Sequence, residues 1–177
     1  MRTSGSTAGW RRVGAAAGVL VIAGLLMPVT AAPQAGAAAP PSCTAGMTKV
    51  SFRALDGAAG SVYGRMRVRN VSNHTCTIRG YGGISYVGYG NGTQIGAPSQ
   101  REPAVVRTVT LRPQQVAKAR VRMVEAGNYG VRRCRPTAVD GFRVYLPGET
   151  RSQFARYTTT GCRNPNVHLL YSRPYRG

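Results

Sequence analysis

The chain has 177 residues, with 24 basic against 5 acidic side chains, a formal net charge of +19, 4 cysteines and 2 histidines. A protein this basic is drawn to polyanions at low salt whatever its purpose, so weak attraction of that kind is no sign of a dedicated site. The few acids and histidines leave thin material for general acid–base catalysis, and the cysteines are too far apart for the close ligand pairs of a zinc site.

Arg2, Arg11 and Arg12 flank the start of an uncharged apolar run, Val13 to Val29, and Ala31 to Ala39 is alanine-rich with a small-x-small triplet at Ala35-Gly36-Ala37. This is the layout of a secretory signal peptide over residues 1–37, cleaved near Ala37. The run is rich in Ala and Gly and ends in Pro28, which favours a cleaved leader over a retained membrane helix. Membrane contact is then confined to the leader before cleavage. Arg11-Arg12 resembles a twin-arginine signal only weakly, and Pro40-Pro41-Ser42 before Cys43 is a poor lipobox. The exported remainder has the length of a single domain and is large enough for one proper core. An even number of cysteines in such a chain points to two disulfides among Cys43, Cys76, Cys134 and Cys162. Three connectivities are open. The pairs Cys43–Cys76 and Cys134–Cys162 are preferred, and each would contribute about 3–4 kcal/mol by the chain-entropy model.

Residues 38–46 read as a short Pro-containing tail, and a single domain follows over 47–177. In Met47 to Leu55, Val50, Phe52 and Ala54 alternate with Lys49, Ser51 and Arg53, a strand pattern. Asp56 to Gly60 is a turn. Val62, Met66 and Val68 then alternate with Tyr63, Arg65, Arg67 and Arg69, so one face goes to a core and the other to water. Asn70 to His74 is a turn of residues whose side chains bond their own backbone. Thr75–Ile78 and Ile84–Val87 are strand pieces, and Gly80, Gly82 and Gly83 between them suggest a bulge or bend. Gly88 to Gly92 is a loop with an Asn-Gly signal, and Gln94 to Ala97 a short edge strand. Val105 to Leu111 is closed by Arg112-Pro113-Gln114. In Gln115 to Val124 the inward set is Ala117, Ala119, Val121 and Met123, and Lys118, Arg120 and Arg122 point outward. Glu125 to Arg135 is a loop. Phe142, Val144 and Leu146 mark another strand, Ser152 to Thr159 a weaker one and Val167 to Tyr171 the last, before a basic tail at Arg173-Pro174-Tyr175-Arg176. No helix is expected after the leader. Short strands, Gly/Pro turns and distant cysteines predict an all-β domain built as a two-sheet β-sandwich.

Several of these stretches carry a family likeness: Ala58-Ala59-Gly60-Ser61, Asn70, Thr75-Cys76-Thr77-Ile78, Gly80-Tyr81, Gln94-Ile95-Gly96 with Arg101, Cys134-Arg135-Pro136, and Cys162. From about Cys43 to Tyr171 the chain resembles the secreted actinobacterial family known as domain of unknown function 4232. Leu111-Arg112-Pro113-Gln114 stands where that family has Leu-x-Pro-Gly, so Gln114 replaces the turn glycine. The resemblance implies export and an immunoglobulin-like two-sheet β-sandwich, and it implies no activity.

No catalytic site, metal or cofactor is expected. Asp56, Glu102, Glu125, Asp140 and Glu149 each sit beside a turn signal; His74 lies in a turn, and His168 reads as an outward residue of the last strand. No serine has a nucleophile-elbow context, and the Gly88–Gly92 loop does not join a strand to a helix as a phosphate loop would. Asn70-Val71-Ser72, Asn73-His74-Thr75 and Asn91-Gly92-Thr93 match the glycosylation triplet and read as turn chemistry. In an immunoglobulin-like sandwich the first, second and fifth strands share a sheet. Lys49 and Arg53, then Arg65, Arg67 and Arg69, then Lys118, Arg120 and Arg122 would merge there into one basic face beside Tyr63. The function expected of that face is docking on an anionic envelope polymer: a wall polymer, an acidic glycan or a membrane surface. The alternative is a structural or protein–protein interaction module with an extracellular partner, its charge serving solubility. No aromatic–basic RNA motif is present, so no specific nucleic acid is expected.

Overall fold

The computed structural model describes residues 38–177; the leader expected at 1–37 lies outside them. Eleven strands follow one another: β1 (Thr48–Ala58), β2 (Ser61–Asn70), β3 (Cys76–Arg79), β4 (Gly83–Gly88), β5 (Thr93–Ile95), β6 (Gln100–Arg101), β7 (Thr108–Leu111), β8 (Val116–Val124), β9 (Pro136–Tyr145), β10 (Ser152–Cys162) and β11 (Leu170–Ser172). The described residues form an all-β domain. One sheet runs β1-β2-β8-β11-β6, a second β10-β9-β4-β5, and β3 pairs with β7 in a two-stranded ribbon. Among these strands only β6 and β11 pair in parallel, and outside them Ser42 makes a parallel bridge to Thr77. No helix among the described residues is long and apolar enough to cross a membrane.

The alternation in the sequence decides which side chains enter the core. Met66 and Val68 of β2 and Ala117, Ala119, Val121 and Met123 of β8 are buried, as are Phe142, Val144 and Ala155 on the second sheet. Full burial of a Val, Met or Phe side chain among these stabilises the fold by about 1.5–3 kcal/mol, and of the alanines less. Phe52 of β1 reaches across, its ring 4.7 Å from Phe142 and 4.8 Å from Tyr157. Gln153 of β10 secures the outer edge of β1: its Oε1 accepts the Val50 N–H at 3.2 Å, and its Nε2 donates to Thr48 Oγ1 at 2.9 Å.

The disulfides are Cys43–Cys76 and Cys134–Cys162, the preferred pairs. The first fastens the segment before β1. Thr77 donates its N–H to Pro41 O and accepts that of Cys43, both at 2.8 Å, so part of the 38–46 tail lies along β3. Asn70 is fully buried at the end of β2. Its Nδ2 donates to His74 O at 2.7 Å and Leu111 O at 2.9 Å, and its Oδ1 accepts from Ser72 N at 3.0 Å and Ser72 Oγ at 2.7 Å. Every polar site of the side chain is used, which ties the turn after β2 to the end of β7.

Two family-like turns keep their shape with unfavourable residues. Ala59 and Gly60 both have positive φ, 50° and 68°, as a two-residue type I′ hairpin requires. Gln114 has φ 67°, and Gln115 N bonds Arg112 O at 3.0 Å, so a type II turn survives without its glycine. Left-handed backbone at such a residue costs about 1–2 kcal/mol.

Several boundaries differ from the sequence expectations. β10 has 11 residues, one of the longest strands, because cross-strand pairing supports it where its own apolar pattern is weak. The 125–135 loop contains a 3-10 turn, Ala126–Asn128, and one α-helical turn, Val131–Cys134. β11 starts at Leu170, leaving His168 in the loop before it. The basic tail is no tail. Arg173 N bonds Arg120 O, and Lys118 and Arg176 exchange both backbone bonds, at 2.7–2.9 Å. Tyr175 is buried at 0% exposure, and its N–H bonds Gly80 O.

Candidate functional site: a cationic groove on the five-stranded sheet

β1, β2 and β8 are neighbours in one sheet, and their register lines up the expected basic rows. Arg53, Arg65 and Arg120 stand directly opposite one another on the three strands. Ser51, Arg67 and Lys118 form the next row, and Lys49 faces Arg69. All point away from the core: Lys49, Arg53, Arg65, Arg69 and Arg120 are exposed, and Arg67, Lys118 and Arg122 are half-buried by their neighbours. Like charges directly opposed across strands are destabilising, so this sheet carries an electrostatic cost on its outer surface.

Not all eight residues play the same part. Arg65, Lys118 and Arg120, with Tyr63, Arg173 and Arg176, line an open groove of about 530 Å³. Lys49, Arg53, Arg67 and Arg69 extend the same face beyond it. Arg122 is already engaged: its guanidinium lies 3.9 Å from the centre of the Tyr171 ring, and its Nε donates to Glu102 Oε1 at 2.9 Å. Arg173 donates its Nε to the other oxygen of Glu102 at 3.0 Å. Burial alone would push the Glu102 carboxyl up, but the hydrogen bonds from Arg122 and Arg173, and their charges, outweigh it and hold the group below the usual carboxylate range. Glu102 therefore stays charged at neutral pH and marks one border of the face. Among the described residues, no acidic side chain lines the groove.

Tyr63 forms part of the groove wall, and Arg120 stacks over it with Cζ 4.5 Å from the ring centre. That contact holds an otherwise flexible guanidinium in place. Leu55 also reaches the groove, from a bulge in β1 between Ala54 and Gly57. Arg173 and Arg176 were not singled out in the sequence because Pro174 and the terminal position read as a loose tail. The signal was present: Leu170, Ser172 and Pro174, all buried, alternate with exposed Arg173 and half-buried Tyr171.

The remaining reactive side chains lie elsewhere. His74 is exposed in the turn after β2, and neither histidine lines this groove. Glu149 accepts the Ala45 N–H at 3.1 Å, and Asp140 accepts the Gly90 N–H at 2.8 Å. The arrangement on the five-stranded sheet is suited to holding anions by fixed guanidinium forks.

The chain matches the family model described as Domain of unknown function (DUF4232) over residues 43–175, and it belongs to that family. No curated protein and no solved structure matches it.

Proposed function

We propose that this DUF4232 protein is an exported, non-catalytic, immunoglobulin-like sandwich domain that docks on an anionic envelope polymer through the groove between β2, β8 and the segment after β11. One observation carries the reading: five cationic side chains converge on a groove lined by no acidic side chain, and two of them, Arg65 and Arg120, belong to a row in which Arg53, Arg65 and Arg120 directly oppose one another. Such a row is costly while empty, and the cost is offset when anions lie across it. A polymer suits the face better than a single ion. The groove is open, and Arg65, Arg67 and Arg69 continue along β2 at a two-residue repeat of about 6.6–6.8 Å. The two disulfides and the leader-like N-terminal pattern support export.

The test is binding of long-chain polyphosphate across a range of salt, using two charge-matched variants. In one, Arg65, Lys118, Arg120 and Arg176 are changed to Gln. In the other, the exposed Arg79, Arg112, Arg132 and Arg151 are changed to Gln. At about 0.15 M salt, where diffuse attraction is largely screened, the first variant should lose about tenfold or more in affinity and the second much less. Equal losses would mean that net charge alone does the binding.

A further inference from the structure

The second sheet also has a concave outer surface, and it is built on a different principle. On β9, position 141 is a glycine, and the ring of Phe154 on β10 fills the space above it: a Cβ at Gly141 would stand 2.7 Å from both Cε2 and Cζ of that ring. Phe154 pairs across the strands with Arg143, so it leans diagonally over Gly141. Phe52 leans over Gly64 in the same way inside the core, where Phe142 and Tyr157 cover it. Phe154 has no such cover and remains 55% exposed.

A hollow opens on each side of the ring. One, of about 560 Å³, has Asp140, Arg156 and Thr158 in its walls. The other, of about 350 Å³, has Asn91, Arg143 and Ser152. Val87 and Gly92 belong to both, so the two form one trough with the ring at its middle. Among the described residues, no carboxylate pairs with Arg143 or Arg156. Arg143 gives one Nη2 bond to Gln94 Oε1 at 2.9 Å, and its Nε is sealed off without a partner. Asp140, the one acid in the trough, is turned to the Gly90 N–H.

We infer that this trough binds an acidic saccharide, independently of the cationic groove on the other sheet. A flat exposed ring calls for a ligand with an apolar face of similar size, which a pyranose presents through its C–H groups. The hydroxyl and amide groups around the ring suit a hydroxylated ligand better than a purely apolar one. Two unpaired guanidinium groups against a single occupied carboxylate call for negative charge, and a uronic acid supplies it in the planar form that a guanidinium fork matches. Phe154 would carry the sugar ring, and Arg143 and Arg156 the carboxylates of successive units on either side.

The probe is a galacturonate trimer, titrated calorimetrically at about 0.15 M salt. The wild-type protein should bind it, and a neutral galactose trimer should bind about tenfold or more weakly. Phe154→Ala and the double variant Arg143→Gln/Arg156→Gln should each weaken galacturonate binding about tenfold or more, whereas Phe154→Tyr should keep it. A double change on the other sheet, Arg120→Gln/Arg176→Gln, should leave it within about twofold. Circular dichroism on each variant confirms that the fold is intact. The inference is overturned if the wild type fails to bind, if Phe154→Ala binds as well as wild type, if the neutral trimer binds equally, or if only the Arg120/Arg176 variant loses binding.

Discussion

The outer faces of the two sheets share one device and differ in almost everything else. Each concave surface adjoins a β-bulge, between Ala54 and Gly57 in β1 and between Arg156 and Thr159 in β10. The bulges bring Leu55 to one groove and Thr158 to the other. On the five-stranded sheet the surface is made by charge: guanidinium groups in register, with Glu102 at the border. On the four-stranded sheet it is made by contact: a bare ring over a glycine, with few and mixed charges. Attraction to the first should fall steeply with salt, whereas recognition by the second adds the packing of Phe154 to the charges of Arg143 and Arg156 and should fall less.

The largest expected effect concerns what holds the charged surface together. Tyr175 anchors the segment that carries Arg173 and Arg176, and its hydroxyl is buried without a partner. Tyr175→Ala should cost about 3–5 kcal/mol in urea unfolding. Under conditions where the variant remains folded, it should also weaken polyphosphate binding while leaving the Phe154 trough unaffected. Tyr175→Phe should cost nothing or stabilise slightly, because an unpaired buried hydroxyl is removed. A large loss in Tyr175→Phe would show that the hydroxyl is bonded after all.

A smaller effect of opposite sign is expected at Arg65. It faces Arg53 on one side and Arg120 on the other, so Arg65→Gln should raise stability at low salt by about 0.2–1 kcal/mol. The same change should lower polyphosphate affinity. A residue that weakens the fold while strengthening binding is the mark of a surface kept for its ligand. If Arg65→Gln is destabilising, the opposed row is not under electrostatic strain.

The smallest effect is at the border. Glu102 engages Arg122 and Arg173, so Glu102→Gln should raise polyphosphate affinity at neutral pH by about two- to fivefold. Its carboxyl is held below the ordinary range in the native state. Its contribution to stability is therefore complete above the unfolded value near pH ~4.3 and is lost as pH falls through the lower native value. The stability gap between wild type and Glu102→Gln should accordingly close on acidification, measured by thermal unfolding at a series of pH values. A gap independent of pH would remove Glu102 from the account.

Much of the fold was legible in the residues because strict alternation leaves little choice of face. Val50 and Phe52 against Lys49 and Arg53, and Ala117 to Met123 against Lys118 to Arg122, placed both the core and the basic rows on β1, β2 and β8. Asn70 is one of the family marks, and its four side-chain hydrogen bonds account for it. What escaped depends on contacts between distant stretches. Arg173 and Arg176 join the groove only because Tyr175 buries itself next to Gly80 and Gly82. Phe154 lies in a strand of weak pattern, and its seat over Gly141 on the neighbouring strand is a diagonal relation invisible along the chain. The division of the eight basic residues into groove, extension and the already engaged Arg122 required the position of Glu102 as well.

The central claim is that phosphate-type anions settle in the groove of the five-stranded sheet and not over the whole basic surface. Its most direct test is a titration of the isotope-labelled protein with tripolyphosphate at about 0.15 M salt, followed residue by residue by nuclear magnetic resonance. Saturable shifts confined to Tyr63, Arg65, Lys118, Arg120, Arg173 and Arg176 are the expected result. Weak, unsaturable shifts spread equally over Arg79, Arg112, Arg132 and Arg151 would contradict it.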